Sequence, residues 1–357
     1  MAAEKRDCQL DGDDLDSVLS HVPTADLLQV TCVSRSWRRS VVATINRRHH
    51  RPWLLIHLLN TRRRAGVSAA YDPDTGSWRT LQQPHVTPSP HITFPFLSLA
   101  LPLQPLASTW PNLPLPRVHR RDAVVSLVGS HLVLAGGVCD LGERTCEVES
   151  LSLHPAGSNW KNCRPMPESL RVSAAATWLS VAASDSRMYV MERGAADAGR
   201  LAWYEPAADR WGAVRPVRFG GRALHISAIG MAPASSAAGE DRLFVVGLVE
   251  NGMLEIWEVE PESLDGRRIG SLPAEVAERI AGEGAESSSA VGFSNLGSFG
   301  FLYNLNGRGK ILACDLGVGK WSWEEIGRPP MLEEDPTARV VFGCARPTLG
   351  HLKEVYR

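Results

Sequence analysis

The stretch YDPDTGSW, residues 71–78, decides the fold because the chain repeats its pattern. Pro73 stands five residues before Trp78. The same register returns in LHPAGSNW, YEPAADRW and CDLGVGKW, and VEPESLDG keeps the proline but has Gly266 in the tryptophan position. The five proline positions are 82, 51, 55 and 55 residues apart, and they are occupied by Pro73, Pro155, Pro206, Pro261 and Leu316. A period near 50 residues is typical of repeat architectures.

The chemistry of the repeated stretch predicts a tight turn between two strands. Asp72 can accept hydrogen bonds from turn amides, and Pro73 restricts φ at the first turning position. Gly76 suits a position with positive φ at the end of a hairpin loop. A large aromatic residue at the same place in each unit, as at Trp78, predicts packing between neighbouring units. Short apolar runs upstream of most turns predict four strands per unit.

Four-stranded units of this length are typical of a β-propeller. The diglycine Gly136-Gly137, the aromatic position before the turn and the tryptophan position resemble kelch repeats. We therefore predict a mainly-β fold, a kelch-type β-propeller at residues 52–345 with five visible four-stranded units. The structural repeat positions are Pro73, Trp78, Gly136, Gly137, Trp160, Pro206, Trp211, Pro261 and Trp321.

Two irregularities of the repeat require an explanation. The first interval is too long, and a proline-rich insertion at 82–117 fills the excess. The insertion is either a long excursion between blades or a decayed sixth blade. The first unit also lacks an upstream strand, and the apolar run 339–345 can supply it. A ring closed in this way has no exposed sheet edge.

The segment at residues 11–50 has a different pattern, with apolar residues at helical spacing. Pro23 ends the first predicted helix, and Thr24 is an N-cap candidate for the next. So small a module cannot build a core of ordinary stability alone. We expect it to complete its core with a partner protein.

The run LSHVPTADLLQVTCVSRSWRRSV, residues 19–41, resembles the F-box. In that family the helices bind the Skp-type adaptor of a Skp–cullin–F-box ubiquitin ligase, and through the adaptor a cullin. The resemblance implies an all-α F-box module before the propeller, an arrangement common in plants. The residues that it nominates for adaptor binding are Leu15, Val18, Leu19, Pro23, Leu27, Leu28, Val30, Cys32, Val33 and Trp37.

The combined resemblance implies a non-catalytic receptor whose propeller binds a target protein for ubiquitination and proteasomal degradation. Some plant F-box/kelch proteins remove phenylpropanoid or flavonoid enzymes, so such enzymes are implied targets. The alternative is a kelch scaffold or a metal-dependent propeller enzyme. The sequence has no G-x-S-x-G, H-E-x-x-H, Walker loop or dinucleotide fingerprint, and it nominates no cofactor, metal or catalytic residue.

Composition and charge narrow the possible binding partners and cellular locations of the protein. The net charge of -1 argues against binding to nucleic acid or to an acidic membrane surface. Seven cysteines without a Cys-x-x-Cys pair favour a reducing compartment. The polar N-terminus is unlike a signal peptide, and three prolines interrupt the longest apolar stretch. We expect a cytoplasmic or nuclear protein with a disordered N-terminus at 1–10 and a C-terminal tail at 346–357.

Overall fold

The computed structural model describes residues 12–23, 26–47, 51–60, 65–81, 113–154, 159–194, 199–232, 241–282, 290–317, 320–334 and 339–355. The predicted disordered N-terminus at 1–10 and most of the insertion at 82–117 lie outside these residues. The choice between a long excursion and a decayed sixth blade depends on that insertion and lies outside them too.

The N-terminal module consists of three helices, α1 (Asp13–His21), α2 (Leu27–Val30) and α3 (Arg35–Arg47). Asp13, Asp14 and Asp16 lie in the first turn of α1, where negative charge is favourable next to the helix dipole. Val22 is extended, with φ -78° and ψ 128°, because the following Pro23 disfavours the helical conformation for the residue before it. The helix therefore ends where the sequence predicts.

The rest of the described chain contains five main sheets, each built on four antiparallel strands in succession. The first contains β1 (Trp53–Asn60), β2 (Ala65–Asp72), β3 (Ser77–Leu81) and the late strand β23 (Arg339–Ala345). The second contains β5 (Val124–Val128), β6 (His131–Ala135), β8 (Val148–Ser152) and β9 (Lys161–Cys163). The third contains β10 (Leu179–Ala183), β11 (Met188–Glu192), β12 (Arg200–Glu205) and β13 (Arg210–Trp211).

The fourth sheet contains β15 (His225–Ala232), β16 (Arg242–Leu248), β17 (Leu254–Val259) and β18 (Gly266–Leu272), and the fifth contains β19 (Val291–Leu296), β20 (Phe299–Asn304), β21 (Ile311–Gly317) and β22 (Lys320–Ile326). Two short additions are β4 (Arg120–Arg121), which pairs with β7 (Val138–Cys139), and β14 (Arg215–Pro216), which pairs with β12. The connections contain a 3-10 helix (Glu168–Ser173), α4 (Ala274–Ala281) and α5 (Met331–Glu334), and α6 (Leu349–Val355) follows the last strand.

These sheets are the blades of a propeller. The innermost strands succeed one another, with β5 beside β10, β10 beside β15, β15 beside β19 and β19 beside β23. The strand from residues 339–345 pairs antiparallel with β1, so that Trp53 lies opposite Ala345. Residues 339–345 thus supply the missing strand of the first unit, as predicted, and the predicted fold class is confirmed with five blades and a helical module before them.

The strand order gives the propeller two different faces. Neighbouring strands in a blade run antiparallel, so the turns between first and second and between third and fourth strands share one face, here called the turn face. Connections between second and third strands and between blades share the other, here called the loop face. In the first blade, β23 ends and β1 begins at the turn face. The helical module and α6 are therefore attached there.

The helical module shares a core with the first blade, and our expectation that a partner protein completes this core is wrong in part. The fully buried Leu352 of α6 belongs to the same cluster, within the segment predicted as a C-terminal tail. The small module gains a core of useful size because blade and C-terminal helix cover its apolar side chains. The buried cluster consists of Leu15, Leu19, Leu27, Val41, Ile45, Trp53, Leu55, Ala70, Leu81, Ala345 and Leu352.

Candidate functional site

The ten residues predicted to bind an adaptor fall into two groups in the structure. Leu15, Leu19 and Leu27 are buried in the shared core and cannot touch a partner without rearrangement. The other seven are half-buried or exposed, and we call them the helical-module surface: Val18, Pro23, Leu28, Val30, Cys32, Val33 and Trp37. Sequence reasoning missed a further exposed apolar residue, Val42 on α3. In the sequence it is marked only by its apolar character within an arginine-rich helix.

A short turn between α2 and α3 exposes Val33. The amide of Cys32 donates to the carbonyl of Gln29, and the amide of Val33 donates to that of Val30. The Ser34 hydroxyl then accepts from the amide of Trp37 at 3.2 Å, which caps the start of α3. Because its neighbours are fixed by these bonds, Val33 projects into solvent with 61% of its surface exposed. An exposed apolar side chain held in this way is suited to contact with another protein.

The predicted tryptophan positions are equivalent around the ring. The indole nitrogens of Trp78, Trp160 and Trp211 donate hydrogen bonds of 2.6, 2.8 and 3.0 Å to backbone carbonyls in the segment that precedes each blade. The acceptors are Gly327, Pro114 and Arg164, respectively. Each tryptophan thus joins its blade to the chain before it.

The remaining two units place aromatic rings at the same boundary between blades. Trp321 lies against Gly270 of the fourth blade, where a Cβ atom on the glycine would come within 2.3 Å of the ring. Gly266 occupies the tryptophan position of the fourth unit, and the rings of Trp257 and Phe219 lie beside it. These two rings meet edge to face, with centroids 5.4 Å apart and planes at 73°. The fourth unit therefore fills the position from a different strand.

In the three repeat turns that the structure describes in full, the residue three positions after the proline is left-handed. Gly76, Asp209 and Leu264 have φ angles of 63°, 44° and 61°. Only the first is a glycine, so at the other two positions neighbouring contacts must offset the energetic cost of the left-handed conformation. The Asp209 carboxylate accepts hydrogen bonds of 2.8 Å from the Tyr204 hydroxyl and from the amide of Arg164. Leu264 is buried in the core between the third and fourth blades.

The diglycine serves backbone packing at the loop face. Gly136 and Gly137 have φ angles of 64° and 104°. A Cβ atom at Gly136 would come within 2.7 Å of the Ala174 carbonyl oxygen, and one at Gly137 within 2.8 Å of that of Arg121. The amide of Gly137 donates to Ala174 at 2.7 Å. The pair thus lets the second blade approach the connection to the third.

The described residues offer little chemistry beyond these contacts. Within the described ranges, no group of three His, Cys, Asp or Glu side chains is placed to hold a metal ion. Six cysteines lie in this part of the chain, and all six are free thiols. No helix among the described residues has the length and apolar character needed to cross a membrane. His57 is buried, which lowers its pKa to about 4, and its Nδ1 lies 2.7 Å from the Ser68 hydroxyl.

Comparison with known proteins agrees with this architecture. The F-box domain model matches residues 8–46. The chain is 28% identical to an F-box/kelch-repeat protein of Arabidopsis thaliana, over 99% of this chain and 94% of that protein. These two findings support the resemblance to plant F-box/kelch-repeat proteins. The solved structure of YjhT has a TM-score of 0.41 and 10% identity over 62% of this chain and 67% of its own, a likeness too low to carry an argument.

Proposed function

We propose that this F-box/kelch-repeat protein is the target-recognition subunit of a Skp–cullin–F-box ubiquitin ligase. The F-box and the kelch-type relative support a substrate-recognition role. The observation that carries the finer proposal is the helical-module surface, where the F-box match leaves apolar side chains such as Val33 in solvent. Unpaired apolar surface of this kind marks a protein contact, here with a Skp-type adaptor and through it a cullin.

The mechanism of such a subunit is proximity. A target on the propeller and a ubiquitin-charged enzyme on the cullin become parts of one assembly, which raises the effective concentration of target lysines. The shared core between the helices and the first blade supports this role because it limits rotation of one part against the other. No bond is made or broken by this chain in the proposal. We propose a target among phenylpropanoid or flavonoid enzymes, and a location in the cytoplasm, the nucleus or both.

The test compares two valine-to-aspartate substitutions in the purified full-length protein. Val33→Asp places a charge on the helical-module surface, and Val172→Asp places one at a 76% exposed position on the propeller. Both positions are exposed, so both variants are expected to fold. We expect Val33→Asp to abolish co-purification with a plant Skp-type adaptor and Val172→Asp to leave it intact. Loss in both or in neither would contradict the proposal.

The alternative function, a kelch scaffold or a metal-dependent enzyme, predicts a different result. Wild-type protein would then fail to bind the adaptor. Elemental analysis of the same preparation would show a stoichiometric metal if the enzyme alternative holds.

A further inference from the structure

The loop face carries an apolar patch between the second and third blades. Leu141 and Val172 expose 89% and 76% of their surfaces, and Trp178 exposes 46%. The first lies in the connection between β6 and β8, and the other two lie in the connection between the blades. Tryptophan is among the residues most enriched at binding hot spots. We call these residues, with Arg144 and Arg193, the Trp178 patch.

Arg144 holds the two connections together. Its guanidinium carbon lies 5.9 Å from the centre of the Trp178 ring, and its Nη1 donates to the backbone carbonyl of Val172. A cation over an indole face is an attractive arrangement. The exposed ring is therefore held in place before any partner arrives, which reduces the entropy lost on binding.

Arg193 stands opposite Trp178 in the backbone pairing, and the residue is half-buried. Its amide donates to the carbonyl of Trp178 at 2.9 Å, continuing the pairing of β10 with β11. Residues paired in this way have side chains on the same side of the sheet. The Arg193 Nε donates to the Leu179 carbonyl at 3.3 Å, whereas its Nη1 is buried and finds no hydrogen-bond partner among the described residues.

The nearby acidic groups do not satisfy this guanidinium. Burial lowers the pKa of Arg193, and Tyr303 and Asp122 act against that shift only through electrostatics. The Asp122 carboxylate accepts a hydrogen bond from the Thr177 hydroxyl at 2.5 Å. An unpaired buried donor is destabilising, and more so when it is charged. A carboxylate that reaches the half-buried Arg193 guanidinium would supply the missing partner.

We propose that the Trp178 patch is the target-docking site and takes a protein segment with an acidic side chain next to an apolar one. The apolar side chain packs on Trp178 and Val172, and the carboxylate receives hydrogen bonds from Arg193. This inference rests on the proposed function. It places the target on the loop face and the adaptor at the turn face, so both can be bound at once.

The test selects peptides from a displayed random library on the immobilised full-length protein. We expect enriched peptides to carry Glu or Asp next to an apolar residue. Synthetic copies of them should bind wild type and lose about tenfold or more in affinity with Trp178→Ala. Arg193→Met keeps the aliphatic length without the charge and should lose a similar factor, mainly for the acidic peptides.

Trp323→Ala is the matched control, because Trp323 is also an exposed tryptophan, at 37%, but on the outermost strand of the fifth blade. It should bind the peptides as wild type does. The proposal is overturned if no peptide is enriched, if enriched peptides bind Trp178→Ala unchanged, if replacing their Glu or Asp by Gln or Asn has no effect, or if single-stranded DNA binds the patch in their place.

Adaptor binding, measured on the same variants, separates the two proposals. Trp178→Ala should retain the adaptor, and Val33→Asp should retain the peptides. Peptide binding in a protein that binds no adaptor would refute the ligase function and leave the docking site standing. Adaptor binding without any selected peptide would do the reverse.

Discussion

Replacing Leu352 in the C-terminal helix should loosen the helical module from the propeller. The Leu352 side chain has no exposed surface and packs in the cluster that joins α1 to α3 with the first blade. A buried leucine truncated to alanine costs about 2–5 kcal/mol, the range arising from how far the cavity collapses. If that loss falls on opening of the module alone, the open fraction rises about 30-fold or more.

Hydrogen exchange followed by mass spectrometry measures this effect. In Leu352→Ala, amides of α1 and α3 should exchange faster by that factor, whereas amides of β16 and β20 in the distant blades should not change. Lys353→Ala is the control, because it alters the adjacent, half-buried residue and leaves the core intact. Protease cleavage between α3 and β1 should accelerate in parallel, since cleavage follows the open population when closing is fast.

Two results would refute the reasoning. Unchanged exchange in the helices of Leu352→Ala would mean that α6 contributes nothing to the shared core. An equal acceleration in all five blades would mean that helices and propeller open as one unit, so that the module has no separate stability.

Three further predictions concern the propeller, each measured by urea unfolding. Because burial lowers the pKa of His57 to about 4, the unfolded chain binds more protons than the folded chain between pH 6.5 and 4. The free energy of unfolding should therefore fall by about 3 kcal/mol as pH falls through this window. The His57→Gln variant should lack this pH-dependent loss. Glu149→Gln should cost about 3–5 kcal/mol because it removes the carboxylate that balances the buried Arg120 charge, and Arg120→Met in the same chain should restore part of the loss. An equal or larger loss in the double variant would contradict this. Gly76→Ala should cost about 1–2 kcal/mol because φ is 63° there, whereas Gly327→Ala, with open space around it, should be nearly neutral.

The repeat and the F-box pattern could be predicted from the sequence because both are local. The proline and tryptophan positions recur at a regular spacing, and a turn needs its own residue types wherever it stands. The closing strand was also predictable, since the first unit lacked a strand and the last apolar run had no other partner. The fourth unit shows the limit, because the ring of Trp257 fills the position vacated at Gly266 from a different strand.

The functional surfaces were less accessible to sequence reasoning. Among the predicted adaptor residues, periodicity does not distinguish Leu27, which is buried, from Val33, which is exposed. That distinction depends on which side of the module the first blade covers. The Trp178 patch gave no signal at all, since Trp178 stands outside the repeated register and Arg193 is remote from Arg144 in the chain.

The spacing of residues in the sequence predicts the domain order, with a helical module first and a ring of similar sheets after it. This is possible because turn chemistry and amphipathic periodicity act over a few neighbouring positions. Tertiary structure alone decided which apolar side chains remain in solvent and left the buried Nη1 of Arg193 without a hydrogen-bond partner among the described residues. Burial and pairing arise from segments far apart in sequence, as when Leu352 reaches the core that begins at Leu15.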